Sequence, residues 1–404
     1  MVGVSTASAQ SSPAQPSVPI RQVAPILAKT RDTLGTIFGV RHLPGGRALV
    51  NDPQKHRVML FDSTLTAYTI PIDSVSGARN SYGMRYTTIV PYVADSTLFV
   101  DYASQSLIVI DPKGEIAHVM SPPKPSDLNW LTSGSAGTDA TGRLVYRSYD
   151  RIAPTPTAAN QTVFTSQSPD SMPIVRADFD ARSVDTIGRV RTSPGRTTTT
   201  RPASGGMPTS FKMTLFPIAT IDEWAITTDG SIAFLSGSDY HVDWLQPDGS
   251  KLTSPKLPLD WRRLPDEEKR AALDSARHYR DSLAALPNAP VAMRVCYAEG
   301  NCQSYPFAYE NAALSELPDY YPPFRQGGLL ADRDNNLWIL PFTSTLAGRK
   351  GLVYDVVNRK GELAERVQIP EGRSIVGFGP GGIVYLQSGD LKSGFVLERT
   401  RVVR

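Results

Sequence analysis

The sequence predicts an all-β fold. Its strand-like segments are apolar or alternating for four to six residues, which is the spacing of strands rather than of helices. Proline (33) and glycine (31) are abundant among the 404 residues, as expected where many short strands are joined by turns. A strand–turn–strand pattern also recurs along the chain, which favours a repeat architecture.

The recurring unit has four strand-like segments joined by turns and one polar loop. Residues 221–250 show it most cleanly, because Asp229-Gly230 and Asp248-Gly249 mark turns beside the apolar runs IAFL and VDWL. Five further stretches align with this one. The copies cover residues 36–72, 85–120, 131–148 continued at 172–190, 215–258, 324–369 and 374–402.

Six copies of roughly four strands predict a six-bladed β-propeller, an architecture in which radial repetition protects the sheet edges. The last copy shows only three strands before Arg404. We therefore expect IRQVAPILAK, residues 20–29, to supply its outer strand and close the ring. The predicted propeller spans 20–404, and 1–19 is predicted to be a signal-peptide remnant with a disordered linker.

Three stretches resemble six-bladed propellers of the NHL-like and TolB-like type: LPGGRALVND, TTDGSIAFLSGSDYHVDWLQPDGS and ADRDNNLWILP. The resemblance covers most of residues 20–404 and implies the architecture. It leaves the activity open, because such propellers include binding modules, lyases and lactonases. The regucalcin-like lactonases hold a divalent metal with Glu, Asn and Asp side chains in the channel, and no local motif here identifies such a set.

Charge and cysteine content narrow the possible partners. Lys plus Arg is 42 and Asp plus Glu is 39, a net charge of +3, so neither nucleic acid nor a phosphate-binding stripe is indicated. No apolar stretch approaches the length of a membrane span. A monomer is expected.

The N-terminal residues predict export to the periplasm or the medium. Ala7-Ser8-Ala9 followed by Gln10 fits a small-x-small signal cleavage site. Because no basic n-region precedes it, an ordinary disordered tail is the alternative. Cys296 and Cys302, in CYAEGNC, are predicted to form a disulfide in such a compartment; two reduced thiols are the alternative.

Three segments interrupt the repeat. Residues 149–171 and 192–206 are rich in Thr, Ser and Pro, which predicts mobile surface loops. Residues 260–310 predict one helical insertion between blades 4 and 5, followed by the disulfide hairpin. The helix is expected either to cover the channel or to pack on the rim, through a stripe of five residues. The stripe comprises Ala272, Ala276, Tyr279, Leu283 and Leu286.

The candidate binding residues lie where loops gather at one end of a propeller channel. Those between the second and third strands of a copy are Asp52, Asp101, Arg147, Asp239, Tyr240 and His241; those between copies are Tyr86, Trp130, Tyr321 and Arg325. This mixture of Arg, Asp and aromatic side chains suits a polar small molecule or a protein loop.

The predicted function is therefore an exported, non-catalytic propeller that binds a ligand or protein at the channel mouth. The alternative is a hydrolase, lactonase or lyase that uses channel carboxylates and a divalent metal. No cofactor is expected under the first interpretation, and Ca²⁺ is the candidate under the second. ADRDNN, which includes Asp332, lacks the glycine and glutamate of a calcium loop and is interpreted as a hairpin turn.

Overall fold

The computed structural model describes residues 18–74, 80–83, 87–131, 136–149, 155–156, 163–200, 210–285, 292–296, 302–345 and 351–403. Within these ranges the chain is mostly β, with one long helix and several short 3₁₀ helices. The strands form a series of antiparallel sheets along the chain, which we number 1 to 6, and a separate insertion sheet.

Sheets 1 to 3 are four-stranded, and their strands pair in chain order. Sheet 1 contains Val40–Leu43, Arg47–Asp52, Arg57–Phe61 and Tyr68–Ile72. Sheet 2 contains Ile89–Pro91, Thr97–Asp101, Ser106–Ile110 and Ile116–Met120. Sheet 3 contains Gly137–Thr138, Leu144–Arg147, Ser171–Asp178 and Ser183–Arg191.

Sheets 4 to 6 follow the same order. Sheet 4 contains Glu223–Ile226, Ile232–Leu235, Val242–Leu245 and Lys251–Thr253. Sheet 5 contains Phe324–Ala331, Leu337–Pro341, Leu352–Val357 and Leu363–Ile369. Sheet 6 contains Arg373–Phe378, Ile383–Asp390 and Gly394–Arg401.

The N-terminal segment contributes to two sheets rather than one. Ile20–Gln22 pairs in parallel with Leu363–Ile369 of sheet 5. Ala28–Lys29 then pairs antiparallel with Gly394–Arg401 as the fourth strand of sheet 6. Residues 20–29 therefore pair with the last strand of the chain and also extend sheet 5.

Hydrophobic clusters lie between consecutive sheets. Each cluster combines residues of one sheet with residues of the next, starting with sheets 1 and 2, and the last cluster combines sheet 6 with sheet 1. Representative pairs, in that order, are Leu49 and Phe99, Val109 and Tyr146, Val145 and Trp224, Trp244 and Phe324, Trp338 and Phe378, and Tyr385 and Met59. Burying a side chain of this size contributes about 1.5–3 kcal/mol. The core is thus distributed around the molecule between sheets, as in a β-propeller.

The first strands of the sheets approach one another closely, and glycine permits this at two points. A Cβ on Gly137 of sheet 3 would lie 2.5 Å from Cγ2 of Ile226 in sheet 4. A Cβ on Gly377 of sheet 6 would lie 2.7 Å from the carbonyl oxygen of Val40 in sheet 1. Larger residues at either position would separate neighbouring sheets.

Side-chain hydrogen bonds stabilise the turns between strands. Oδ1 of Asp332 accepts from the backbone N–H groups of Asp334 (2.9 Å) and Asn336 (2.8 Å). Oδ1 of Asp139 accepts in the same way from Thr141 (2.9 Å) and Arg143 (3.0 Å). These Asp residues at the start of a turn are typical of Asx turns, and ADRDNN is a hairpin turn, as predicted.

Strands that alternate in direction place their connections at two opposite ends of each sheet. We call the end with the first-to-second-strand turns, such as 139–143, the turn end. The opposite end, with the second-to-third-strand connections and the links between sheets, is the loop end.

The three insertions all leave the loop end and combine into one unit. The insertion sheet has the order Thr155–Pro156, Val163–Gln167, Arg196–Thr200, Ser210–Leu215, Cys302–Asn311 and Ala292–Cys296. The prediction of mobile loops is therefore wrong for 163–167 and 196–200. Threonine is β-branched and favours strands, and each insertion supplies the others with backbone partners.

Helix α1, Asp266–Ala284, confirms the predicted helical insertion. Among its described side chains Lys269 and Leu273 are buried and Ala272 and Ala276 are half-buried, whereas Tyr279 is 60% exposed. The predicted stripe is therefore right for the two alanines and wrong for Tyr279. Nζ of Lys269 donates to the carbonyl oxygens of Leu314 (3.4 Å) and Leu317 (3.3 Å). The 3₁₀ helices are Pro44–Gly46, Pro53–Lys55, Val93–Asp95, Pro125–Trp130, Leu314–Glu316 and Phe342–Thr345.

None of the helices in the described ranges combines the length and the apolar character that crossing a bilayer requires.

Candidate functional site

A cavity of about 810 Å³ lies where the first strands of all six numbered sheets converge. Its wall is apolar over much of its height, with side chains from five sheets. Phe38 is one of them, and it remains 43% exposed although it is large and aromatic. The others that we use below are Ile89, Ile226, Leu330 and Ile375. An exposed aromatic ring inside a cavity is typical of ligand-binding sites.

The turn end of the cavity is charged. Arg41 and His42 come from the first strand of sheet 1, Asp95 from the turn of sheet 2 and Arg333 from the turn of sheet 5. We call these four residues the charged cluster. Asp139 and Asp332 also line this end.

Arg41 is fixed by its neighbours. It is buried, and its guanidinium donates to the carbonyl oxygen of Ser96 (3.0 Å) and to Oγ1 of Thr97 (3.4 Å). Burial lowers the pKa of Arg41 to about 10, and the positive charge of Arg333 acts in the same direction while Asp95 opposes it. Arg41 therefore joins sheets 1 and 2 and also places positive charge beside the cavity.

His42 is half-buried, with Nδ1 2.8 Å from the hydroxyl oxygen of Tyr385. Burial lowers the pKa of His42, and nearby positive charges lower it further. These charges belong to Arg333, Arg399 and Arg41, and Asp95 opposes them. The imidazole is consequently neutral near pH 7 and gains a proton only in acid.

Arg333 reaches from sheet 5 to sheet 2. Its Nη2 lies 3.4 Å from Oδ1 of Asp95, and both side chains are partly exposed, at 29% and 44%. The ion pair connects two sheets that are not neighbours in the series, so it crosses the turn end of the cavity.

The other two aspartates already have partners. Asp139 forms ion pairs with Arg143 and Arg176, each at 2.9 Å. Although burial alone would raise the pKa of Asp139, hydrogen bonds from Thr141 and Arg143 and the charge of Arg143 lower it. Asp332 accepts from the indole Nε1 of Trp338 at 3.0 Å in addition to its turn bonds. Across the described ranges, no three His, Cys, Asp or Glu side chains are grouped so that they could hold a metal ion.

Glu223 is a carboxylic acid at the loop end that sequence reasoning missed. It opens the first strand of sheet 4, and its Oε1 accepts from the backbone N–H of Gly327 at 2.6 Å. Gly327 has φ +69° within the bulge of sheet 5, a conformation that favours glycine. Burial raises the pKa of Glu223; the Gly327 bond and the charge of Arg147 oppose that rise, and Asp222 adds to it.

The structure places Asp52 and Asp101 at strand ends, in structural contacts. Asp52 is fully buried and accepts from the backbone N–H groups of Gly35 (3.0 Å) and Thr36 (3.0 Å). Asp101 accepts from the backbone N–H of Ala103 at 2.9 Å and borders a small hollow of about 230 Å³.

Asp239 and His241 are brought together. Nδ1 of His241 lies 2.8 Å from Oδ1 of Asp239, and its Nε2 lies 3.3 Å from Oδ2 of Asp243. Tyr240, between them, points into the core instead, where its hydroxyl donates to Oδ2 of Asp355 at 3.3 Å. The three consecutive candidates therefore face two different environments.

Tyr321 and Arg325 flank Phe342. The ring centroids of Tyr321 and Phe342 are 5.3 Å apart, and the Arg325 guanidinium lies 5.3 Å from the Phe342 centroid. The Tyr321 hydroxyl donates to Glu268 of helix α1. Burial and this bond raise the pKa of Tyr321 to about 12.

Arg147 ends the second strand of sheet 3, and its Nε is buried without a hydrogen-bond partner among the described atoms. Tyr86 and the side chain of Trp130 lie outside the described residues, as do the side chains of Cys296 and Cys302. The backbone pairing does place Cys296 directly opposite Cys302; the disulfide stays a prediction.

None of the predicted contact residues whose side chains are described lines the 810 Å³ cavity. Their binding role at the loop end stays a prediction. The charged cluster was missed because Asp95 and Arg333 lie in turns that looked purely structural, while Arg41 and His42 lie within a strand. The available signal was Arg41-His42, two charged or polar residues inside the otherwise apolar strand GVRHL.

No family model matches the chain, and no curated protein matches it either. Among solved structures, regucalcin, a calcium-binding protein from Agrobacterium tumefaciens, is 11% identical, with a TM-score of 0.39 over 95% of this chain and 97% of that one. Virginiamycin B lyase from Staphylococcus aureus is 9% identical, with a TM-score of 0.36 over 92% and 98%. A Bacteroides fragilis protein described as exported is 8% identical, with a TM-score of 0.44 over 95% and 96%. Similarities at this level establish neither a family nor an activity, and the propeller description rests on the sheets of this chain.

Proposed function

We propose that this chain is an exported six-bladed β-propeller that binds a small ligand in its central channel without catalysing a reaction. The blade count is supported by the hydrophobic clusters, since each joins one sheet to the next and the last joins sheet 6 to sheet 1. The N-terminal strand Ala28–Lys29 supports closure of the ring through sheet 6.

The cavity is the observation that carries the binding proposal. Its volume, about 810 Å³, falls in the range of about 300–1,000 Å³ that is usual for small-molecule sites. An apolar wall with a few charged groups at one end provides both burial and orientation. The predicted loop-end residues, such as Asp239 and His241, complete the proposal as contacts for a ligand or protein at the other mouth.

A steric block tests this proposal. Thr88 is half-buried and lines the cavity, so Thr88→Trp should fill part of it. The matched control is Thr69→Trp, at an exposed position on the outer strand of sheet 1. We expect pyrenebutanol, a neutral fluorescent probe, to bind the wild type and the control but to bind Thr88→Trp at least about tenfold more weakly. Equal binding to all three proteins would refute the channel as the binding site.

A metal-dependent hydrolase or lyase is the second candidate, and Glu223 is the observation that favours it. A half-buried carboxyl group with a raised pKa suits a general acid. The described residues offer no cluster for a metal, which gives the Ca²⁺ part of this alternative no support. Turnover of an ester or lactone by the wild type, lost in Glu223→Gln, would replace the binding proposal.

Export and a monomeric state belong to the same proposal. Export rests on the Ala7-Ser8-Ala9-Gln10 motif and predicts that the mature protein in its native cells lies outside the cytoplasm and begins at Gln10. Light scattering of the purified chain should give the monomer mass. A cytosolic protein that keeps its first nine residues would contradict export. A dimer mass would contradict the monomeric state.

A further inference from the structure

The charged cluster at the turn end bears on the chemical class of the ligand that the cavity binds. Arg41, His42 and Arg333 are donors, and Asp95 is the acceptor that faces them. Asp139 and Asp332 border the same end, but their oxygens are occupied by ion pairs or by N–H groups of their own turns. Asp95 is therefore the carboxylate at the turn end that pairs with Arg333.

The contact of Arg333 with Asp95 is long and partly exposed. At 3.4 Å, with one nitrogen and one oxygen involved, it uses little of the guanidinium fork, which can pair with a carboxylate through two parallel bonds. Arg41, by contrast, is buried and hydrogen-bonded to sheet 2. Arg333 is thus the donor that can exchange its partner without disturbing the sheets.

We propose that the cavity binds a small amphipathic carboxylate, whose carboxylate group replaces Asp95 on Arg333 while its apolar body contacts Phe38, Ile89, Ile226, Leu330 and Ile375. The ligand group is assigned as a carboxylate because it takes the place of a carboxylate that Arg333 already pairs with. The apolar body is assigned from the wall, above all from the exposed ring of Phe38. This inference rests on the proposed function and adds the chemical class of the ligand.

The test compares three probes of one shape and different charge: pyrenebutyrate, pyrenebutanol and pyrenebutylamine. In the wild type we expect pyrenebutyrate to bind at least about tenfold more tightly than pyrenebutanol, because a charge-assisted, bidentate contact forms only with the carboxylate. Pyrenebutylamine should bind most weakly. Fluorescence titration at low salt measures the three dissociation constants.

Variants then test whether Arg333 and Asp95 determine the preference for the carboxylate probe. Arg333→Gln should bind pyrenebutyrate and pyrenebutanol equally, and Asp95→Asn should tighten pyrenebutyrate alone, because the competing carboxylate is gone. Arg182→Gln is the matched control: Arg182 is exposed in a turn of sheet 3, away from the cavity, and its loss should leave all three constants unchanged.

The outcomes separate this inference from the proposed function. If pyrenebutanol and pyrenebutyrate bind the wild type equally, the channel binds ligands but the carboxylate assignment is wrong. If Arg333→Gln keeps the preference, the assignment is also wrong. If no probe binds the wild type, both the proposed function and the inference fail.

Discussion

Arg333 and Asp95 meet across the turn end of the cavity, with Nη2 and Oδ1 3.4 Å apart, although 238 positions separate them in the sequence. One residue follows the first strand of sheet 5 and the other follows the first strand of sheet 2. Their contact exists only because the inner strands of different sheets converge. The contact between Arg333 and Asp95 therefore reports whether the inner strands lie where they form the cavity.

The Arg333–Asp95 pair should contribute little to stability. Partly exposed ion pairs are typically worth about 0.2–1 kcal/mol, because solvent screens them. A double-mutant cycle of Arg333→Gln and Asp95→Asn, measured by urea unfolding, should therefore give a coupling energy below about 1 kcal/mol. A much larger coupling would mean that the pair supports the fold, and Arg333 could not exchange partners as proposed.

Asp52 should matter for stability far more than Asp239. Replacing Asp52 by Ala leaves the buried N–H group of Gly35 and the partly buried N–H group of Thr36 without this acceptor, which we expect to cost about 3 kcal/mol. Asp239 is partly exposed, at 39%, and its Ala variant should cost less than about 1 kcal/mol. Denaturant unfolding compares the two, and equal losses would contradict the structural role of Asp52.

Glu223 should make stability depend on pH. Its pKa is raised in the folded protein, so the folded state binds the proton more tightly than the unfolded state does. The resulting stabilisation is complete below the unfolded pKa and is lost as pH rises through the folded pKa. Glu223→Gln, which keeps an oxygen for Gly327, should therefore gain in melting temperature relative to the wild type between about pH 4 and 7. A constant difference across that range would exclude the raised pKa.

His42 should make carboxylate binding depend on pH. Since the pKa of His42 is lowered, the imidazole gains its charge only below its ordinary value of about 6.5, and the new charge should tighten pyrenebutyrate binding there. The charged groups around it are Arg41, Arg333, Arg399 and Asp95, and Tyr385 contacts its Nδ1. His42→Gln should lack this gain, so that its binding changes between about pH 7 and 5 only through protonation of the probe itself. A wild-type profile identical to that of His42→Gln would contradict this effect.

The sheets could be predicted from local sequence, because each carries its own signals. Asp229-Gly230 and the apolar IAFL specify one hairpin without reference to any other part of the chain. The insertion sheet could not be predicted in this way. Arg196–Thr200 is polar. One of its partners, Val163–Gln167, comes from a different insertion, and the other, Ser210–Leu215, follows it in the same connection between sheets 3 and 4. The composition of residues 196–200 correctly indicated a polar segment, but it did not indicate which strands this segment pairs with.

The site was less predictable than the fold. Asp239 and His241 are two positions apart in the sequence and do meet, as any short loop allows. Arg333 and Asp95 meet only through the arrangement of whole sheets. Helix α1 shows the same limit, because helical periodicity does not reveal that Lys269 is buried and donates to two carbonyl oxygens.

The most direct measurement is a crystal structure of the wild type with pyrenebutyrate. We expect electron density for the pyrene ring against Phe38 in the channel, with the carboxylate bound to Arg333 and Asp95 displaced from it. Density at the loop end outside the cavity, or a channel without probe at saturating concentration, would contradict the proposal.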